Sequence, residues 1–212
     1  MPKRVDHAQR RREIADALLR AARTAGLHAT GVREVAAEAG VSVRLVQYYF
    51  DTKATLLLGG LHRVGELIAE RMSEHTAALP ATASSRDRVE AVLAALLPAD
   101  QLTKDLYAVH AQYAALALTD PSLATQPYGD GASNLQTEIT RTIREAQGAG
   151  EVDPRRDPEL AALALVALTT GLAAGVIAGH NNLSVARAAL REQLGCMFTA
   201  GEARPSLAQV SP

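Results

Sequence analysis

Residues 30–53 run TGVREVAAEAGVSVRLVQYYFDTK, and this stretch restricts the fold more than any other part of the chain. It reads as a short helix, a glycine turn, a second short helix, and a lysine at the mouth of a third. Thr30 is placed to cap the first helix, expected over about Gly31 to Ala39. Gly40 supplies the left-handed residue that ends it. Ser42 caps the next helix, Val43 to Tyr49. Val35, Ala36, Ala39, Val41, Val46 and Phe50 are the apolar positions that would hold the two helices together, and Ala36 is small enough for a close crossing. This is the spacing of a helix-turn-helix, whose second helix lies in the DNA major groove.

The outward positions of the second helix suit that task. Arg44 can fork onto guanine and Gln47 onto adenine, while Val43 and Leu45 can touch a thymine methyl. Tyr48 and Tyr49 each offer a hydroxyl to a phosphate or base edge. Lys53 falls in the first turn of the following helix, after Asp51 or Thr52 as cap. A cation there opposes the helix dipole. Alone it reads as a solvated lysine; beside Ser42, Tyr48 and Tyr49 it reads as a partner for a phosphate at that helix end. The candidate DNA-contacting set is Thr30, Ser42, Val43, Arg44, Leu45, Gln47, Tyr48, Tyr49 and Lys53.

The preceding segment supports this reading. Asp6 and Gln9 have capping-box spacing for a helix starting near His7. Ile14, Ala17, Leu18, Ala21 and Ala25 recur at helical period, and Gly26 ends the run. Lys3, Arg4, Arg10, Arg11 and Arg12 crowd its beginning, with Lys3 and Arg4 read as phosphate contacts. Residues 1–53 hold ten Lys and Arg against six Asp and Glu, a net of +4, while residues 54–212 carry −5. The near-neutral total therefore conceals a basic head on an acidic body.

On these residues the N-terminal ~50 positions resemble the TetR family of one-component bacterial repressors. The likeness rests on the helix ahead of the helix-turn-helix, the GVSVRLVQYYF stretch, and the F-x-x-K-x-x-L-L run of Phe50, Lys53, Leu56 and Leu57. Leu45 stands where many relatives have Thr, Gln47 where many have Tyr, and Tyr49 where His is frequent. The operator therefore cannot be copied from a relative.

A length of 212 residues suits one DNA-binding head (1–53), one ligand-binding and dimerisation domain (54–200) and a mobile tail (201–212). The expected fold is all-α with about nine helices, because Ala and Leu replace the scarce aromatics and alternating β-branched runs are missing. One cysteine, Cys196, fits a reducing cytoplasm and is expected in the core near Leu194 and Phe198. The charged first helix is no signal peptide. Body helices are expected over 52–78, with Leu56, Leu61, Val64, Ile68 and Met72 inward, then 85–97, 101–119, a helix opened by the Ser133/Gln136 pair, 158–179, and one capped by Ser184. Residues 121–131 read as a loop.

Residues 160–179 are uncharged, long enough to span a bilayer, and carry Gly171, Gly175 and Gly179 at four-residue intervals. The stretch is rich in Ala, Gly and Thr and lacks flanking aromatics, which favours a buried soluble helix over a membrane partner. The resemblance implies that the last two long helices form a four-helix bundle across a homodimer axis, with Gly171, Gly175, Leu190, Leu194 and Phe198 as candidate interface residues. It also implies a small-molecule effector cavity beside the fourth helix. Tyr107, His110, Tyr113, Thr137, Arg141, Thr169 and Thr170 are candidate ligand contacts, against the plainer reading of core tyrosines and a hydrogen-bonded histidine. The scattered histidines form no metal motif, and no cofactor is expected. An enzyme would need a nucleophile with a base, or paired carboxylates, in one cleft; no nucleophile elbow, P-loop or dinucleotide glycine pattern occurs. An architectural DNA-binding protein or activator without a ligand is the other alternative. The reading that results is a ligand-responsive repressor on a palindromic double-stranded operator, with a small apolar or amphipathic effector.

Overall fold

A computed structural model describes residues 6–118 and 130–198. The described residues form helices α1 (His7–Ala25), α2 (Val32–Ala39), α3 (Val43–Tyr49), α4 (Lys53–Ala77), α5 (Ser85–Ala94), α6 (Gln101–Ala117), α7 (Asp130–Gly148), α8 (Pro158–Ile177) and α9 (Leu183–Met197). The all-α expectation holds: among the described residues the only extended pairing is an isolated bridge between Val152 and Phe198. Lys3, Arg4, most of the expected 121–131 loop and the 201–212 tail lie outside the described residues.

Caps account for most helix ends, and several differ from expectation. Asp6 caps α1 by accepting from the Ala8 and Gln9 amides, but the Gln9 side chain turns to Glu13 instead of closing a box. Thr30 does not cap α2. It is buried, and its hydroxyl donates to the Gly26 carbonyl at 2.8 Å. Gly31 is the N-cap, and the Glu34 carboxylate reaches back to its amide at 2.9 Å. Hydrogen bonds from its own amide and that of Gly31 hold the Glu34 carboxyl below its usual range. Gly40 ends α2 at φ +64°, where a side chain would be strained. Of the two candidate caps for α4, Thr52 is the one used. The 85–97 helix stops at Ala94. α7 is already formed at Asp130, so Ser133 lies within the helix and not at its start. Asn182, not Ser184, caps α9 by accepting from Val185.

Two cores hold the molecule together. The first gathers Ile14, Leu18, Val35, Val46 and Phe50 of the head, and continues without a break into Leu56, Leu61 and Val64 of α4 and Val109 and Tyr113 of α6. The second joins α5, α7, α8 and α9 through Leu93, Leu97, Ile139, Ile143, Leu165, Leu190 and Leu194. α1 is tied to α4 by Arg63, which reaches Asp16 at 2.7 Å and Glu66 at 2.9 Å. α6 is tied to the head by Arg23–Asp105 and by the Gln112 side chain, which accepts from the Leu27 amide.

Candidate DNA interface and ligand cavity

The recognition-helix candidates come together on one outward face. Ser42 Oγ accepts from the Leu45 amide at 3.2 Å and starts α3. Val46 and Phe50 anchor the inner side. Val43, Arg44, Gln47 and Tyr48 are exposed, Tyr48 at 70 % of its surface, whereas Leu45 and Tyr49 are half-buried. Thr30 is the exception: buried and bonded to Gly26, it has no surface for a phosphate, so its assignment to the DNA face is withdrawn. Lys53 is exposed but not free, since its ammonium donates to the His28 carbonyl at 3.3 Å. That bond uses one of its three hydrogens and anchors the charge beside the α4 N-terminus. In the basic run of α1, Arg10 and Arg12 pair with Glu13 and Glu66, while Arg11 turns to α3 and donates to the Tyr49 carbonyl.

The body holds a half-open cavity of about 160 Å³ between α4, the turn after α5, α6, α7 and α8. Its wall is mostly aliphatic, from Leu61, Val64, Ile68, Leu96, Leu106, Leu135 and Val166. Tyr107, His110, Thr103 and Thr170 supply polar atoms, and among the described residues no charged side chain is part of the wall. Burial pulls the His110 imidazole below its usual value, so the neutral ring is favoured. Thr103 and Thr170 already donate to the Asp100 and Val166 carbonyls.

Four candidate ligand contacts are displaced from this cavity. Tyr113 is buried in the head core with an unpartnered hydroxyl, and burial pushes its phenol up. Thr137 and Arg141 face solvent, Arg141 paired with Glu138 and Glu145. Thr169 is buried and donates back to Leu165 at 2.8 Å. The aliphatic wall, Thr103 and Gly65 were missed in the sequence, since their only signal is helical period, which they share with ordinary core positions.

The second apolar feature is the outer face of α8. This is the one helix among the described residues long and apolar enough to cross a membrane, and little of it is buried. Leu160 is 64 % and Leu163 51 % exposed, in line with exposed Ala167 and Gly171. The other interface candidates face inward: Leu190, Leu194 and Phe198 belong to the subunit's own core. Gly175 is small for an internal reason, because a Cβ there would lie 2.5 Å from Asn181 Nδ2. Cys196, expected in the core, is exposed, since α9 turns Leu194, Met197 and Phe198 inward.

Comparison with known proteins fits both halves. Residues 14–59 match the model of bacterial regulatory proteins of the tetR family. Residues 85–198, more than half of the chain, match the C-terminal model of BetI-type transcriptional repressors. The chain belongs to the TetR family. Among curated TetR-like regulators, PksA of Bacillus subtilis is 35% identical over 74 residues, covering 35% of this chain and 36% of that protein. BetI of Rhizobium meliloti is 33% identical, covering 51% and 52%. The chain thus spans about a third to a half of these relatives. BetI of Escherichia coli O139:H28 is 26% identical, over 81% of this chain and 84% of its own. A putative TetR-family regulator from Rhodococcus sp. superposes with a TM-score of 0.79 at 25% identity, covering 90% of this chain and 100% of that one. A putative regulator from Saccharomonospora viridis, solved with choline, gives 0.73 at 26% identity, covering 87% and 95%. As a TetR-family member this chain is a transcriptional regulator with a helix-turn-helix head, and not an enzyme.

Proposed function

We propose that this TetR-family regulator is a cytoplasmic homodimeric repressor that leaves a palindromic operator when a small apolar or amphipathic molecule enters the body cavity. The head, residues 1–53, reads each half-site with Val43, Arg44, Leu45, Gln47 and Tyr48. Ser42, Tyr49 and Lys53 hold phosphates. Residues 54–200 sense and dimerise.

The observation that carries this reading is the double engagement of α6. Leu106, Tyr107 and His110 line the cavity, while Asp105, Gln112 and Tyr113 of the same helix engage the head. A ligand that shifts α6 must therefore strain the head, because packed cores deform in discrete steps. The uncharged wall favours a neutral molecule or one with a single polar end at Tyr107 and His110. The choline held by the Saccharomonospora regulator is a small quaternary ammonium cation; here such a cation would rest on the Tyr107 ring, with no carboxylate among the described wall residues to balance it. The exposed stripe of α8 supports the dimer, since Leu160, Leu163, Ala167 and Gly171 would be covered by the partner's copy.

DNA release measured by fluorescence anisotropy, across a panel of small neutral and cationic molecules, tests the sensor. A true effector weakens DNA binding about 5–150-fold, and DNA weakens effector binding by the same factor. A panel member that binds the cavity yet leaves DNA affinity unchanged contradicts the reading.

A further inference from the structure

The amide of the C-cap residue Phe50 donates to the Val46 carbonyl at 2.8 Å, but the later carbonyls of α3, as at any helix end, have no partner within the helix. Phe50 itself sits at φ −138° and ψ 94°, and not in the left-handed conformation that closes many helices. α1 supplies what is missing. Arg11 Nη1 donates to the Tyr49 carbonyl at 3.2 Å, with its guanidinium 4.5 Å from the centre of the Phe50 ring. One turn earlier, His7 Nδ1 lies 3.1 Å from the Tyr49 hydroxyl, and the two rings are 5.7 Å apart. Tyr49 meets Tyr48 edge to face at 5.1 Å and 90°, and His7 lies 6.3 Å from Tyr48. Tyr48, the most exposed ring of the recognition helix, is thus backed by two others.

We propose that His7 is a positioning residue for DNA recognition: it fixes Tyr48 through Tyr49. The proposal rests on α3 being the DNA-facing helix. The His7 ring and the Tyr49 hydroxyl share one hydrogen bond, which fixes the Tyr49 ring, and Tyr49 in turn backs Tyr48 edge to face.

The test uses the full chain and a duplex that the wild type selects from a random-sequence pool, with affinity read by anisotropy well below each variant's melting temperature. His7→Ala is expected to weaken binding about three- to tenfold, the worth of a net hydrogen bond. His7→Gln, whose amide can still bond to the Tyr49 hydroxyl, should recover most of that loss. Adding His7→Ala to Tyr49→Phe should cost nothing further. Wild-type affinity in His7→Ala, or no recovery in His7→Gln, overturns the proposal. Tyr48→Ala tells which reading has failed. If it weakens selected-site binding while His7→Ala does not, only the role of His7 is lost; if neither matters, the DNA-facing assignment of α3 falls with it.

Discussion

The head and the body are built from the same apolar residue types, yet they treat empty space in opposite ways. In the core of the head, which takes in the start of α4, Phe50, Leu18, Leu27 and Leu56 are sealed from solvent. Even Gly60 of α4 is filled around, since a Cβ there would lie 2.5 Å from Leu18 Cδ2. The open space nearby is a surface cleft between α1 and α4, among Arg11, Arg12, His62 and Glu66. In the body, the aliphatic side chains of α4, α6, α7 and α8 stop short of one another and leave about 160 Å³. A dense core holds α3 in one pose, as reading base edges requires. A hollow core forgoes packing energy but offers a ligand a dry wall. The difference teaches that the reading half is specified by fit and the sensing half by the lack of it, with α6 embedded in both.

The largest effect expected from this contrast is in the head. Phe50→Ala should cost about 3–5 kcal/mol of unfolding free energy, because a fully buried ring leaves a cavity that neighbours refill only in part. Urea titration followed by circular dichroism gives the value. A loss under about 1 kcal/mol would mean that the head core is slack.

A matched pair sharpens the comparison. Gly60→Leu drives a side chain into Leu18 and should destabilise by about 1–3 kcal/mol. Ala173→Leu points into the body cavity and should change stability by under about 1.5 kcal/mol while abolishing the effector response. Equal losses for the two, measured by the same titration, would erase the distinction between a filled and a hollow core.

On DNA, Gln47→Ala should cost about 1–3 kcal/mol on the selected site and much less on random duplex. Lys53→Ala should weaken both and lower the salt slope by about one unit, although it also loses its bond to the His28 carbonyl. Anisotropy at several salt concentrations separates a base reader from a phosphate holder.

The smallest effect is a pH dependence specific to the body. Burial holds the folded-state value of His110 below 6.5, so below that pH the unfolded chain takes up a proton that the folded chain refuses. His110 therefore destabilises the fold as pH falls through 6.5, and the loss levels off below its folded-state value. The denaturation midpoint should drop more between pH 7.5 and 5.5 in the wild type than in His110→Gln. Identical drops would place the imidazole in contact with water.

The helix-turn-helix was legible because its signals are local. Gly40 needs only its own φ, and Ser42 needs only the amide three residues on. The period of Val35, Val46 and Phe50 names the inner face without reference to anything distant. Thr30 shows the limit even here. Its type and place fit a cap, but the loop from Gly26 offered a nearer carbonyl and took the hydroxyl inward.

In the body, the sequence determined that helices form and roughly where they stop, since Pro158 after Asp157, Asp100 and Ser84 act within one turn. Only tertiary structure decided which side of each helix meets what. α8 is apolar on every side, so nothing in its sequence distinguishes Thr169, turned into the core, from Thr170 at the cavity or from Leu163 on the bare face. The same holds for Tyr107 and His110 against Tyr113, six residues apart along α6 at most and divided between cavity and head core. Capping and turns depend on atoms a few residues away, which any sequence window contains. A cavity is defined by side chains from four helices and the turn after α5 failing to meet, and that is a property of their packing alone.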